Sequence, residues 1–173
     1  MRITSGTHRS RVLKGKLPDG VRPSSSRVRE ALFSRLGQDL TGRSVLDVFG
    51  GSGLLTFEAL SRGASRAVVC ESERAAQRFI RENAQALGFG DRFSLRSGRV
   101  PGALPRGTFD IVLADPPYDK DLEKLLKPLA ERVGGDLVLE QRKDVEPPEF
   151  PGLSFQDSRN YGNTTLMFYR RES

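Results

Sequence analysis

Apolar positions along this chain repeat with two periods, and the change from one to the other marks the elements. From residue 44, "SVLDVFGGSG" reads as a β-branched, apolar strand running into a glycine turn, and "LLTFEALSRGA" as a helix stopped near Gly63. "RAVVCE" is a second strand. "SERAAQRFIRENAQALG" is an amphipathic helix, with Ser72 as N-cap, Ala76, Phe79, Ile80, Ala84 and Leu87 on one face, and Gly88 past its end. "RFSLRS" and "TFDIVLAD" predict strands three and four, "KDLEKLLKPLAERV" a proline-bearing helix, and "GDLVLEQ" strand five. Near-continuous apolar strands alternating with helices predict a parallel sheet covered on both faces. After the proline-rich "KDVEPPEFPG", the segments "LSFQDS" and "TTLMFYR" predict two strands with no helix between them, an antiparallel ending. Ahead of the sheet, "SSSRVREALFSRL" predicts a helix with Val28, Ala31, Leu32 and Leu36 on one face and its arginines elsewhere.

Length and composition narrow the class. A chain of 173 residues suits one domain with a sizeable core. No apolar run approaches a membrane span, and the N-terminus lacks the apolar core of a secretory signal. A single cysteine, Cys70, excludes an internal disulfide and fits a reducing compartment. With one histidine and one cysteine, no metal site is expected. The expectation is a cytoplasmic, metal-free monomer with no membrane contact. Charge changes the picture more. Residues 1–36 carry nine Lys/Arg against Asp19 and Glu30, a net of +7, while the remaining 137 residues carry nineteen against twenty. A basic segment on a near-neutral body suits a polyanion partner, and a solvated tail is the plainer alternative. The chain thus divides into a basic N-terminal extension, 1–36, and a sheet domain, 37–173.

Two strand ends carry chemistry. In "DVFGGSG", Asp47 closes the first strand, and Gly50, Gly51 and Gly53 let a ligand approach the backbone at a helix N-terminus. The dinucleotide fingerprint G-x-G-x-x-G fails, because Thr56 stands at its third glycine. An acid beside the loop would repel a pyrophosphate. S-adenosylmethionine, with its amino group and sulfonium, suits Asp47 better. Glu71, at the end of strand two, stands where doubly wound sheets accept ribose hydroxyls. "DPPY" ends strand four, beside strand one. Asp115 and the Pro116 carbonyl can take the two hydrogens of an exocyclic amine, and Tyr118 offers a ring for stacking. Two acceptors would localise the amine lone pair for an in-line methyl transfer.

With these motifs, "LDVFGGSG" and "DPPY", the chain resembles class I S-adenosylmethionine-dependent methyltransferases acting on exocyclic amines. "RPSSSRVREALF", "EALSRGA", "YGNT" and the initial "MRI" narrow the resemblance to the RsmD family of small-subunit rRNA guanine-N2 methyltransferases, along nearly the whole chain. The resemblance implies an α/β, Rossmann-like fold with a seven-stranded, mostly parallel sheet, an antiparallel C-terminal strand and a basic N-terminal extension. It implies methylation of a guanine of 16S rRNA, free or in a small-subunit assembly intermediate, with S-adenosylhomocysteine as product. The expected catalytic residues are Asp115, Pro116, Pro117 and Tyr118. Cofactor contacts are expected at Asp47, Phe49, Gly50, Gly51, Ser52, Gly53, Glu71, Ser72, Gly98 and Asp115. Ser97 joins them because the family often has Asp or Asn there. RNA contacts are expected at Arg2, His8, Arg9, Arg11, Lys14, Arg22, Arg27, Arg29 and Tyr161. The chain departs from the family in having Gly50 for an alanine and Ser26 for an aspartate. Competing readings are an adenine-N6 methyltransferase on DNA or RNA, a protein-glutamine methyltransferase, a noncatalytic RNA-binding module and a nicotinamide-dependent oxidoreductase. A missing target-recognition region, Asp at 115 rather than Asn, an intact DPPY and the broken glycine spacing count against them in turn.

Overall fold

The computed structural model describes residues 1–118 and 121–173. Among these, four α-helices accompany one seven-stranded sheet. In chain order they are α1 (Ser26–Leu36), β1 (Ser44–Asp47), α2 (Leu54–Ser61), β2 (Arg66–Glu71), α3 (Arg74–Leu87), β3 (Phe93–Ser97), β4 (Phe109–Ala114), α4 (Glu123–Ala130), β5 (Val133–Arg142), β6 (Leu153–Tyr161) and β7 (Thr164–Arg171). The sheet order is β3-β2-β1-β4-β5-β7-β6, with the first five strands parallel and β7 antiparallel to both its neighbours. The order reverses direction between β1 and β4, where doubly wound sheets bind ligands at the strands' carboxyl ends. The fold expected from the hydrophobic pattern is therefore the fold observed. The expected fourth helix begins in part at residues outside the described ones.

Side-chain alternation sorts the strands into two cores. Val45, Val69, Ile111, Leu113, Val138, Leu166 and Phe168 face α1, α2 and α3. Leu46, Val68, Val112, Leu137, Leu139 and Met167 face the other way, onto α4 and the 100–104 loop. Helices that connect β1, β2 and β3 in one direction share a face, as right-handed crossovers require. Helix α3 starts one residue later than expected. Glu73, not Ser72, occupies the cap, and no side chain bonds there. Helix α1 departs more. Its N-cap is Ser25, whose hydroxyl accepts from Val28 N–H, and Arg29 lies buried beside Val28, Leu32 and Phe33.

That buried arginine belongs to the anchor of the basic segment. Residues 1–13 fold as a hairpin, with Ile3 N–H donating to Arg11 O and Leu13 N–H to Met1 O. Ile3 and Leu13 enter the same core as α1 and α2. Glu58 of α2, fully buried, accepts from the Thr4 and Ser5 N–H groups and the Thr4 hydroxyl at 2.6–3.1 Å. Arg62 pairs with it at 3.1 Å, and Arg29 Nε lies 3.8 Å away. Arg29 also donates to Ser24 O and Arg2 O. Two cations and three neutral donors converge on one carboxylate, which offsets the cost of burying it, although Arg29 Nε itself has no hydrogen-bond partner among the described residues. Glu58→Ala should destabilise the protein by about 3–5 kcal/mol in urea unfolding, because two guanidinium groups lose their buried counter-charge. Residues 1–14 should become protease-sensitive in the variant. A loss below about 1 kcal/mol would show that the hairpin is held elsewhere.

Candidate active site

The loop after β1 is built around left-handed glycines. Gly51 has φ 56° and Gly53 φ 75°, conformations that a Cβ disfavours. At Gly50 the constraint is space. A Cβ there would stand 2.2 Å from Val69 Cγ2, which accounts for glycine at this position beside a valine. Thr56, the residue that breaks the dinucleotide fingerprint, donates its hydroxyl to Asp47 at 2.8 Å. A third glycine would deprive that buried carboxylate of its hydroxyl donor. Glu71 folds back over the same loop, accepting from Gly51 N–H and Glu73 N–H at 2.8 Å each. It thereby fixes the loop and keeps free lone pairs toward the cleft.

The ends of β1, β4 and β5 present one acid each. Val45 pairs Ile111 and Asp47 pairs Leu113, while Leu113 pairs Val138 and Ala114 pairs Leu139. Asp115 and Glu140 therefore follow in register, on the face of Leu113 and Val138. Asp47, Asp115 and Glu140 all line a small cavity of about 60 Å³ with those apolar residues, under the strap Arg22–Ser24. Burial pushes the Asp47 carboxyl up to about 7 against the Thr56 bond, and the charges of Asp115 and Glu71 add to it. Burial pushes Asp115 up to about 6, although one side of the residue faces solvent. Glu140 is raised to about 7 by burial and then by the Asp115 charge. Cys70, raised to about 12 by burial, is an inert core thiol.

A larger cleft of about 1380 Å³ opens beside this cavity. Of the residues expected to bind cofactor or act in catalysis, Phe49, Gly51, Glu71, Ser72, Gly98, Asp115, Pro116, Pro117 and Tyr118 line it. Gly50 and Ser52 line the small cavity, as Asp47 does, and Gly53 lies beneath the loop as the αL cap of α2. Ser97 lines neither. Its hydroxyl donates to Gln77 and accepts from Arg81, because the alternation of β3 turns it toward α3. Tyr118 stands half exposed, with the Arg142 guanidinium 4.2 Å from its ring centroid.

The basic residues separate. Arg22 lines the cleft, and Arg27 lies 6.0 Å from the Tyr161 ring, itself a cleft residue. Arg2, Arg9, Arg11 and Lys14 are exposed on the hairpin. The hairpin turn, however, bonds to Ser61 and Leu87, the far ends of α2 and α3. The length of the 14-residue α3 puts that turn roughly 20 Å from the cleft. His8 is no phosphate ligand, since its ring nitrogens meet Thr7 and Leu87 O. Arg29 is buried in the Glu58 cluster and is unavailable to RNA. Folding instead brings Arg99, Arg142 and Lys143 to the rim, along with Glu140 and Asn163. Arg99, Glu140, Arg142 and Lys143 had position alone as their sequence signal, near or just past the carboxyl ends of β3 and β5. Asn163 belongs to the "YGNT" turn, which the sequence already marks as a base-pocket candidate or a structural turn.

Comparison with known proteins bears on the family and the fold. The family model described as "Conserved hypothetical protein 95" matches residues 1–170. "Ribosomal RNA small subunit methyltransferase D" of Escherichia coli K12 is 37% identical over 180 residues, covering 100% of this chain and 91% of the relative. The chain belongs to the RsmD family. A solved structure described as "Putative methyltransferase yhhF from Escherichia coli" superposes with TM-score 0.88 at 30% identity, covering 99% of this chain and 98% of that one. "Putative rRNA methyltransferase YlbH" of Bacillus subtilis 168 is 29% identical over 99% of both chains. No helix among the described residues is long and apolar enough to cross a membrane, and no group of His, Cys, Asp or Glu among them could hold a metal ion.

The raised Asp47 carboxyl carries a stability consequence. Its folded value, about 7, lies above the ordinary aspartate value near 3.9, so the folded state holds the extra proton between about pH 4 and 7. Stability therefore falls as pH rises through that window. Asp47→Asn keeps an acceptor for Thr56 and removes the charge. It should raise the Tm of the ligand-free protein at pH 8, with a smaller gain at pH 5. Equal shifts at both pH values would contradict the assignment.

Proposed function

We propose that this protein transfers a methyl group from S-adenosylmethionine to the exocyclic N2 amine of a guanine in small-subunit rRNA. The observation that carries the reading is the placement of Asp115-Pro116-Pro117-Tyr118 at the switch-point edge, one strand from the glycine loop and facing the same cleft. The residues present fit the cofactor. Glu71 has lone pairs for ribose hydroxyls, Gly98 and Val100 wall the side of the cleft next to β3, and Asp47 supplies negative charge for a cationic tail. When bound, S-adenosylmethionine supplies an electrophilic methyl group on a sulfonium. The protein's part is placement. Asp115 and the Pro116 carbonyl accept the two amine hydrogens, which directs the nitrogen lone pair out of the ring plane. The prolines fix that carbonyl, since neither can rotate about φ. Tyr118 offers one ring face to a base extruded from its stack, its other face being covered by Arg142. Arg22, Arg99, Arg142 and Lys143 around the rim, with Arg27 beside Tyr161, hold the flanking phosphates, and the exposed cations of the remote hairpin offer a separate contact to more distant ones.

Mass spectrometry of rRNA from cells with and without the protein tests the reading. One N2-methylguanine of small-subunit rRNA should vanish on deletion and return with the wild-type chain. Asp115→Ala should fail to restore it, with transfer slowed at least about a hundredfold in vitro. Unchanged rRNA methylation on deletion, or loss of a methyladenine instead, would overturn the assignment.

A further inference from the structure

We propose that Glu140 is a specificity-determining residue that accepts the N1–H of the target base, and so selects guanine over purines whose N1 is an acceptor. The inference rests on the guanine-N2 reading above. Glu140 stands partly buried in β5, one strand beyond β4, in the position that follows the Ala114–Leu139 pair. Adjacent strands lie about 4.8 Å apart, so a base gripped by Asp115 has Glu140 as its next neighbour.

The order of strands decides which edge of the base Glu140 meets. The cofactor side of the cleft is walled by β1 and β2, through Gly51, Glu71 and Ser72. A base whose amine points from Asp115 toward that side must extend its ring toward β5. In guanine, N1 is bonded to the carbon that carries the amine, and it bears a hydrogen. Glu140 lines the main cleft together with Asp115 and Tyr118, and it also lines the small cavity behind them. In the ionised form, which prevails at the pH of about 8.5 used for the comparison below, its carboxylate can only accept. Adenine and 2-aminopurine present a lone pair at N1, which an ionised Glu140 repels. Asp115 alone lacks this discrimination, because every exocyclic amine offers it hydrogens.

The test uses the full chain and an rRNA transcript the wild type methylates, carrying guanine or 2-aminopurine at the target position. The analogue keeps the 2-amino group and lacks N1–H. Wild type should favour guanine in kcat/KM by on the order of tenfold to a hundredfold, the scale of one directional base contact. In Glu140→Gln, whose amide can accept from guanine or donate to the analogue, that ratio should fall toward unity. In Glu140→Ala the guanine rate should drop while the analogue's does not. Both substrates are compared at about pH 8.5 and saturating S-adenosylmethionine, with binding to each variant checked by calorimetry, so a change in cofactor affinity drops out of the ratio. A purely structural role would slow both substrates alike, and an unchanged ratio in Glu140→Gln overturns the proposal. If the wild-type product is not N2-methylguanine, the functional reading itself fails, an outcome told apart by the identity of the methylated nucleoside.

Discussion

Three carboxylates near the ends of β1, β4 and β5 point to one side of the sheet, where apolar neighbours and a covering strap bury Asp47, partly bury Glu140 and leave one side of Asp115 open to solvent. Burial makes each harder to ionise than in solution, and neighbouring charges add to the effect at Asp47 and Glu140. A site of this kind holds unfavourable electrostatics in the free protein that a positively charged ligand relieves. The arrangement follows from topology. Parallel strands in register bring acids from residues 47, 115 and 140 side by side, although no two are close in sequence.

The same wall depends on the N-terminal segment. Glu58 gathers the backbone of Thr4 and Ser5 and the side chains of Arg29 and Arg62 into one buried cluster. That cluster fixes the hairpin, and the chain leaving it runs along α3, through Lys14 bonded to Asn83, to the strap at Arg22–Ser24. A segment whose composition suggests an RNA-binding arm thus also shields the acids. Its cations divide between the rim of the cleft and the remote hairpin.

Much of this was legible in the sequence because period and strand ends are local signals. The alternation of apolar strands and helices gave the sheet, and the glycines, Glu71 and DPPY marked the cleft. What escaped depends on contacts between distant residues. Arg29 reads as one more arginine on a polar helix face until Glu58 is seen to lie beneath it. His8 and Ser97 have ordinary polar neighbours in sequence, yet Leu87 O, Gln77 and Arg81 occupy them. Glu140 carries no signal of its own within "GDLVLEQ", and only the register of β5 against β4 sets it beside Asp115. Thr56 broke a motif in the sequence and bonds Asp47 in the structure.

The central claim is that these acids are matched to a cation, and proton exchange on binding tests it most directly. Calorimetric titration with S-adenosylmethionine at about pH 6.5, in two buffers of different ionisation enthalpy, counts the protons released. With carboxyls raised to about 6 and 7, the free protein is partly protonated at that pH. An arriving sulfonium and ammonium favour the ionised forms, so net proton release is predicted. S-adenosylhomocysteine, which lacks the sulfonium charge, should release fewer. Binding with no net release, or with proton uptake, would contradict the account.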